Sequence, residues 1–211
     1  VEKDCIDEIS ALVSVFEKHG VEVFRPKNIN GLNQIFSRDI AFVIADKLVL
    51  PNIIENRKEE ISAIDDLISQ ISSELILKMP VDSRAEGGDV MPWNEYVFVG
   101  YSEKEDFEKY IVARTNRAGL NFLKDTFPNK KVKGFELNKS DVNPRENALH
   151  LDCCFQPIGK NSAIMYRGGF KNEADVNFLV NYFGSENIIE ISKEEMYNMN
   201  ANVFSISEQV I

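Results

Sequence analysis

Ala148-Leu-His-Leu-Asp-Cys-Cys-Phe155 runs over a Gly159-Lys-Asn161 turn into Ser162-Ala-Ile-Met-Tyr166, and this stretch decides the fold. Two β-rich runs joined by a tight turn read as a hairpin. A helical apolar pattern over residues 173–182 follows, and then a short strand-like run at 187–191. The unit is therefore hairpin, helix, strand.

Working towards the N-terminus, the same order recurs. Asp89-Val-Met91 and Tyr96-Val-Phe-Val-Gly100 flank Pro92-Trp-Asn94, with a helix predicted near 118–125 and a strand near 131–137. Before them, Asp39-Ile-Ala-Phe-Val-Ile-Ala-Asp-Lys-Leu-Val-Leu-Pro51 reads as two runs around an Asp46-Lys47 turn. Ile61, Ile64, Leu67, Ile68 and Ile71 then mark a helix over 58–72, and 74–78 a strand. At the start, Ile6, Ile9, Leu12, Val13 and Phe16 predict a helix over 4–20, followed by a strand at 21–24. At the end, Asn202-Val-Phe-Ser-Ile-Ser207 reads as the opening of another hairpin. The unit recurs every roughly 50 to 60 residues. Counting fragments, about five units are implied, with the first and last incomplete. The expectation is an α/β propeller-like or layered architecture of repeated units, against the alternative of an α+β sandwich. Residues 1–211 form a single domain in this reading, lacking its N-terminal hairpin and its C-terminal unit.

Composition narrows the function classes. A net charge of -10 argues against a nucleic-acid binder, which would present a basic face. No apolar run approaches the length of about 18 residues that spans a bilayer, so no membrane association is expected. Three cysteines, two of them adjacent, form no disulfide framework and point to a reducing cytoplasm. The opening residues carry no secretory signal pattern. No phosphate-cradling glycine motif and no zinc spacing occur, so no metal or cofactor is expected.

In each unit, acidic or imidazole side chains border the first β run: Arg38-Asp39, Glu86-Gly-Gly-Asp89 and His150-Leu-Asp152. Pseudosymmetric units bring equivalent strand ends to a common axis, so these groups are expected to converge in one pocket. Buried carboxylates need partners, and a guanidinium offers planar, bidentate donors suited to them. Taken singly, Arg38-Asp39 reads equally as a strand-end ion pair, Gly87-Gly88 as a turn, and His150 as a packed core histidine. If residues 148–155 form a strand, His150, Asp152 and Cys154 share one face.

Phe36-Ser-Arg-Asp39, Glu86-Gly-Gly-Asp89, Arg114-Thr-Asn-Arg-Ala-Gly119 and His150-Leu-Asp152, in this order, resemble the guanidino-group-modifying superfamily. Its members include arginine deiminase, dimethylarginine dimethylaminohydrolase and amidinotransferases. The resemblance implies the pentein fold, a five-unit α/β propeller, and a small guanidino substrate such as arginine or a methylated arginine. It assigns Asp39 to the substrate guanidinium, with Phe36 lining the pocket. Glu86, a catalytic residue with His150, would sit beside the guanidinium and help hold the protonation pattern of the site, and Asp89 of the same motif would be a further substrate ligand. His150 would be the general acid/base and Asp152 would grip a second guanidinium edge. Arg114 would pair with the substrate carboxylate, although the long stretch 103–113 before it departs from the family pattern. The family nucleophile is a cysteine near the C-terminal end, whereas no cysteine follows Cys154 here. The nucleophile is therefore expected beyond Ile211, with Cys154 the rival among residues 1–211. The alternative function is a non-catalytic pentein binding module, as in a ribosome anti-association factor of the same fold.

Overall fold

The computed structural model describes residues 2–211. Three three-stranded sheets follow one another along the sequence. They are Phe42–Ile44 (β1), Lys47–Leu50 (β2) and Ile76–Lys78 (β3); Val90–Trp93 (β4), Tyr96–Tyr101 (β5) and Lys131–Glu136 (β6); and Phe155–Ile158 (β7), Ser162–Met165 (β8) and Ile188–Glu190 (β9). The first two strands of each sheet are antiparallel and the third runs parallel to the second. A parallel return needs a crossover, and each sheet has one that contains helix: Glu55–Ile64 with Asp65–Ile68, Lys104–Lys109 with Arg117–Thr126, and Glu173–Phe183. The hairpins turn at equivalent points, where Ala45, Asn94 and Gly159 take φ of 54°, 50° and 57°.

Strand β5 is the hinge of the packing, because both its faces are buried. Phe98 points into an aromatic core with Phe135, Phe155, Phe170 and Phe183. Val97, Val99 and Tyr101 point the other way, into a second core with Ile44, Val49, Leu120 and Leu123. The two-residue period of a strand thus ties neighbouring modules together.

Each first strand is entered through a short helical turn rather than along an extended run. These turns are Ser37–Ile40, Gly87–Asp89 and Leu151–Cys154, and the residue capping each is Phe36, Glu86 and His150 respectively. The strand expected over 148–155 is thus corrected: it begins only at Phe155, and the shared strand face of His150, Asp152 and Cys154 does not exist. A tight turn lets neighbouring residues face one point, which a strand's alternation forbids. Other expectations also change. Residues 21–24 belong to no strand or sheet; Val21 N–H instead donates to the Phe16 carbonyl at 3.0 Å. Residues 202–207 form no strand; Ser207 makes only an isolated bridge to Val210, and Phe204 packs edge-on against Phe16. The helix expected over 58–72 is mostly 3-10, from Glu55 to Ile64. In that winding, side chains three apart eclipse, which sets Arg57 directly over Glu60 in an ion pair. The stretch 103–113 contains a short helix, Lys104–Lys109. Among the described residues no helix is long and apolar enough to cross a membrane, and Cys5, Cys153 and Cys154 are free thiols.

The turns abut where side chains would not fit. A Cβ on Gly87 would lie 1.9 Å from the Arg38 carbonyl oxygen, and one on Gly88 would lie 2.9 Å from the His150 ring. Glycine here permits backbone approach between modules. Gly87→Ala is therefore expected to lower stability by at least about 1–3 kcal/mol, as overpacking does. Denaturant unfolding checks this, and an unchanged midpoint would contradict the contact.

Candidate active site

The first and third turns carry Arg38, Asp39, His150 and Asp152 to one cavity of about 560 Å³, which Phe36 and Arg57 also line. That volume suits a small molecule. The inner wall is a network of charges. His150 Nε2 lies 2.9 Å from Glu86 Oε2, and its Nδ1 is 3.9 Å from Asp39 Oδ1. Gly88 N–H donates to Asp39 Oδ1 at 3.0 Å, and Ile54 N–H donates to Glu86 Oε1 at 3.2 Å. Arg114 Nη1 reaches Glu86 Oε2 at 3.1 Å. Asp39, Glu86, His150 and Asp152 are all buried.

The expected residues fall into two layers. Phe36, Asp39, Arg114, His150 and Asp152 line the cavity. Glu86 and Asp89, both fully buried, lie behind it. Asp89 accepts from Thr115 Oγ1 at 2.7 Å and from Leu151 N–H at 2.8 Å, so its oxygens hold the turn that carries His150. The cation of Arg114 is directed at Glu86.

Sequence reading missed Arg57, Glu60, Asn202 and the inward role of Arg38. Arg57 donates Nη1 to Asp39 Oδ2 at 2.7 Å and is forked onto Glu60 at 2.9 and 2.8 Å. Its remaining donor meets the Phe36 carbonyl at 3.1 Å, with the Phe36 ring centroid 5.8 Å from its Cζ. Arg38 Nη1 stands 3.4 Å from Asp152 Oδ2, and Asn202 lines the same cavity. The signal that could have found Arg57 is the Arg-x-x-Glu spacing on a segment leaving the first hairpin, just before the helix read over 58–72.

Burial pushes the Glu86 carboxyl up, but the His150 bond, the His150 and Arg114 charges and the Ile54 N–H outweigh it and hold the carboxyl down at about 2. Burial alone would lower His150; the Glu86 bond and the charges of Asp89, Asp39 and Asp152 raise it instead. Both shifts favour the paired form, carboxylate with imidazolium. Burial lifts the Cys153 thiol to about 12 and the Cys154 thiol well above its ordinary value. Cys154 also points away from the cavity, bonding the Leu151 carbonyl at 3.5 Å. A thiolate nucleophile at either cysteine has no electrostatic support.

Asp39, Glu86 and His150 each offer one ligand atom within 4.8 Å of the others, a spacing that a metal could use. A guanidinium, that of Arg57, already sits on two of these carboxylates, at 2.7 and 3.5 Å. The donor set is all oxygen and imidazole with a cation in place, which suits a planar organic cation.

The raised imidazole and depressed carboxylate set opposite pH limits. Stability from Glu86 is complete above its ordinary 4.5 and is lost as pH falls towards about 2. Stability from His150 is complete below its ordinary 6.5 and is lost as pH rises through its raised value. Glu86→Gln should therefore reduce stability most between these two values and flatten the profile on both sides. Denaturant unfolding across pH measures this, and a parallel drop at every pH would contradict the pairing.

Similar proteins are consistent with this geometry. A family model described as N,N dimethylarginine dimethylhydrolase, eukaryotic, matches residues 1–210. The protein is 29% identical over 211 residues to the uncharacterized protein YkgA of Bacillus subtilis (strain 168), and spans 66% of that relative's length. The N-terminal domain of ArgZ, an arginine dihydrolase from the ornithine-ammonia cycle in cyanobacteria solved with product, has TM-score 0.78 at 16% identity, covering 98% of the present sequence and 70% of its own. DDAH from Pseudomonas aeruginosa, complexed with citrulline, has TM-score 0.58 at 19% identity over 78% of the present sequence and 55% of its own. These likenesses, with the hairpin–crossover–strand modules, establish the pentein fold. On the match over residues 1–210, the chain belongs to the N,N dimethylarginine dimethylhydrolase family of guanidino-modifying proteins.

Proposed function

We propose that the whole protein hydrolyses a guanidino C–N bond of arginine or an N-methylated arginine, giving a ureido product and an amine. The observation that carries this reading is the buried His150–Glu86 pair, 2.9 Å apart, at the floor of a cavity whose walls hold Asp39 and Asp152. Two carboxylates at the sides and an acid at the floor are what a guanidinium substrate needs. Family membership and the citrulline bound by the Pseudomonas aeruginosa relative support the substrate class.

In this mechanism, the substrate guanidinium replaces Arg57 on Asp39 and Arg38 on Asp152, taking bidentate bonds that hold its plane. Arg57, released from Asp39, then turns to the substrate carboxylate beside Arg114, which keeps its contact with Glu86. A cysteine thiolate, supplied by a residue C-terminal to those described, attacks the guanidinium carbon. The His150 imidazolium gives its proton to the departing nitrogen, which leaves as ammonia or a methylamine. A covalent thiouronium remains. Neutral His150 then takes a proton from water as its oxygen attacks the same carbon. Collapse expels the thiolate as the new hydroxyl gives its proton to solvent, and the ureido product departs with His150 again protonated. Glu86 stays ionised throughout, keeping the imidazole basic and oriented, while Asp89 fixes the turn behind it.

The test is turnover by the full-length protein, with products of arginine and of methylated arginines identified by mass spectrometry. A ureido product and free amine are expected; a new guanidine formed only with an acceptor amine would mean transfer instead. His150→Ala should cost about 10²–10⁴-fold in turnover, as loss of a positioned acid/base does. Lowered thermal stability with unchanged turnover per folded molecule would show that His150 is only a packed core residue.

A further inference from the structure

We infer that Lys139 is a positioning residue for the reaction, a buried ammonium that sets the backbone from which His150 projects. The inference rests on the reading of His150 as the acid/base. Lys139 lies in the connection after β6, well outside the motifs that mark the site. Its side chain runs inward and is 8% exposed. Nζ donates to the carbonyl of Ala148 at 2.6 Å and to that of Leu149 at 2.8 Å, the two residues that immediately precede His150.

On the other side of the histidine, Leu151 N–H donates to Asp89 Oδ1 at 2.8 Å. His150 is therefore clamped from both directions, by a cation holding the carbonyls before it and an anion holding the N–H after it. The base of the loop is closed as well, because Ala148 N–H donates to the Asn138 carbonyl at 3.0 Å. The imidazole has little freedom to drift from Glu86 while these bonds hold.

A purely structural tie does not need a charge. Two carbonyls can be satisfied by a neutral amide or by water, and an ammonium removed from water costs several kcal/mol unless it is compensated. Burial pulls the Lys139 ammonium below its ordinary value, and Asp89 is the chief opposite charge acting to retain its proton. Burial likewise pushes the Asp89 carboxyl up, and the charges of His150 and Lys139 oppose that shift, so the two groups that clamp the histidine backbone support each other's charged forms. This arrangement supplies rigidity where proton transfer requires it, since a displacement of about 1 Å at a reacting group can cost about 10²-fold in rate.

The variant Lys139→Met removes both bonds and the charge while keeping the length of the side chain. It is tested in the full-length protein, with the His150 imidazole resonance identified by its loss in His150→Gln. The expected result is a fall of about 10–100-fold in kcat at unchanged KM, together with a displaced or broadened His150 resonance. A lowered thermal midpoint with normal kcat and an unmoved resonance would overturn the inference, as would a rise in KM alone. Should Lys139→Met fail to fold, Lys139→Gln, too short to hold both carbonyls, is read in the same way. If the wild-type protein turns over no guanidine at all, the proposed reaction fails, and the imidazole resonance alone then decides whether Lys139 positions His150.

Discussion

Everything around the cavity depends on the need to neutralise carboxylates withdrawn from water. Asp39, Glu60, Glu86 and Asp152 are all buried. Against them stand Arg57, Arg114 and Arg38, each within 3.5 Å of at least one of these carboxylates, and the His150 imidazolium. No single pair closes this balance; the charges are shared across three modules that meet at their strand entrances. An unpaired buried carboxylate costs far more than a surface ion pair gains. A cationic ligand that enters this site therefore has to take over a carboxylate from Arg57 or Arg38.

The repeat explains why the charges meet. Phe36, Glu86 and His150 occupy the same structural position, the residue that caps the helical turn before each first strand. Related backbones thus deliver an aromatic ring, a carboxylate and an imidazole to adjoining points. Gly87 and Gly88 allow the turns to approach until Asp39 accepts from the backbone of the next module. Behind this layer, Thr115 accepts from Glu86 N–H and donates to Asp89, which in turn holds Leu151 N–H. The second layer links the turns that the first layer uses. The placement of His150 is then set by groups that never face the cavity.

Much of this was legible in the sequence. The hairpin–helix–strand repeat followed from alternating apolar runs, and the convergence of Asp39, His150 and Asp152 followed from the repeat together with the motif resemblance. What sequence periodicity could not convey was the local winding. The residues after His150 are apolar and β-prone enough to read as strand, yet Asp89 captures the Leu151 N–H and turns the backbone into a helical step. Asp89 itself was expected at the substrate because its motif borders the strand; burial and the Thr115 hydroxyl draw it into the second layer. Arg57 was missed because it precedes the helix read over 58–72, and only 3-10 winding from Glu55 stacks it over Glu60. Residues 21–24 and 202–207 read as strands from composition, but a strand also requires a neighbour to pair with, which sequence alone does not reveal.

The most direct test of the account is calorimetric titration of the full-length protein with methylguanidine, beside its Asp39→Asn variant. Binding does not require the nucleophile, so it probes the carboxylate cradle itself. The account predicts one-to-one binding by the wild type, weakened by at least about tenfold, or roughly 1.4 kcal/mol, in a folded Asp39→Asn protein. Equal affinity in the two proteins would contradict the claim that these carboxylates form a guanidinium site.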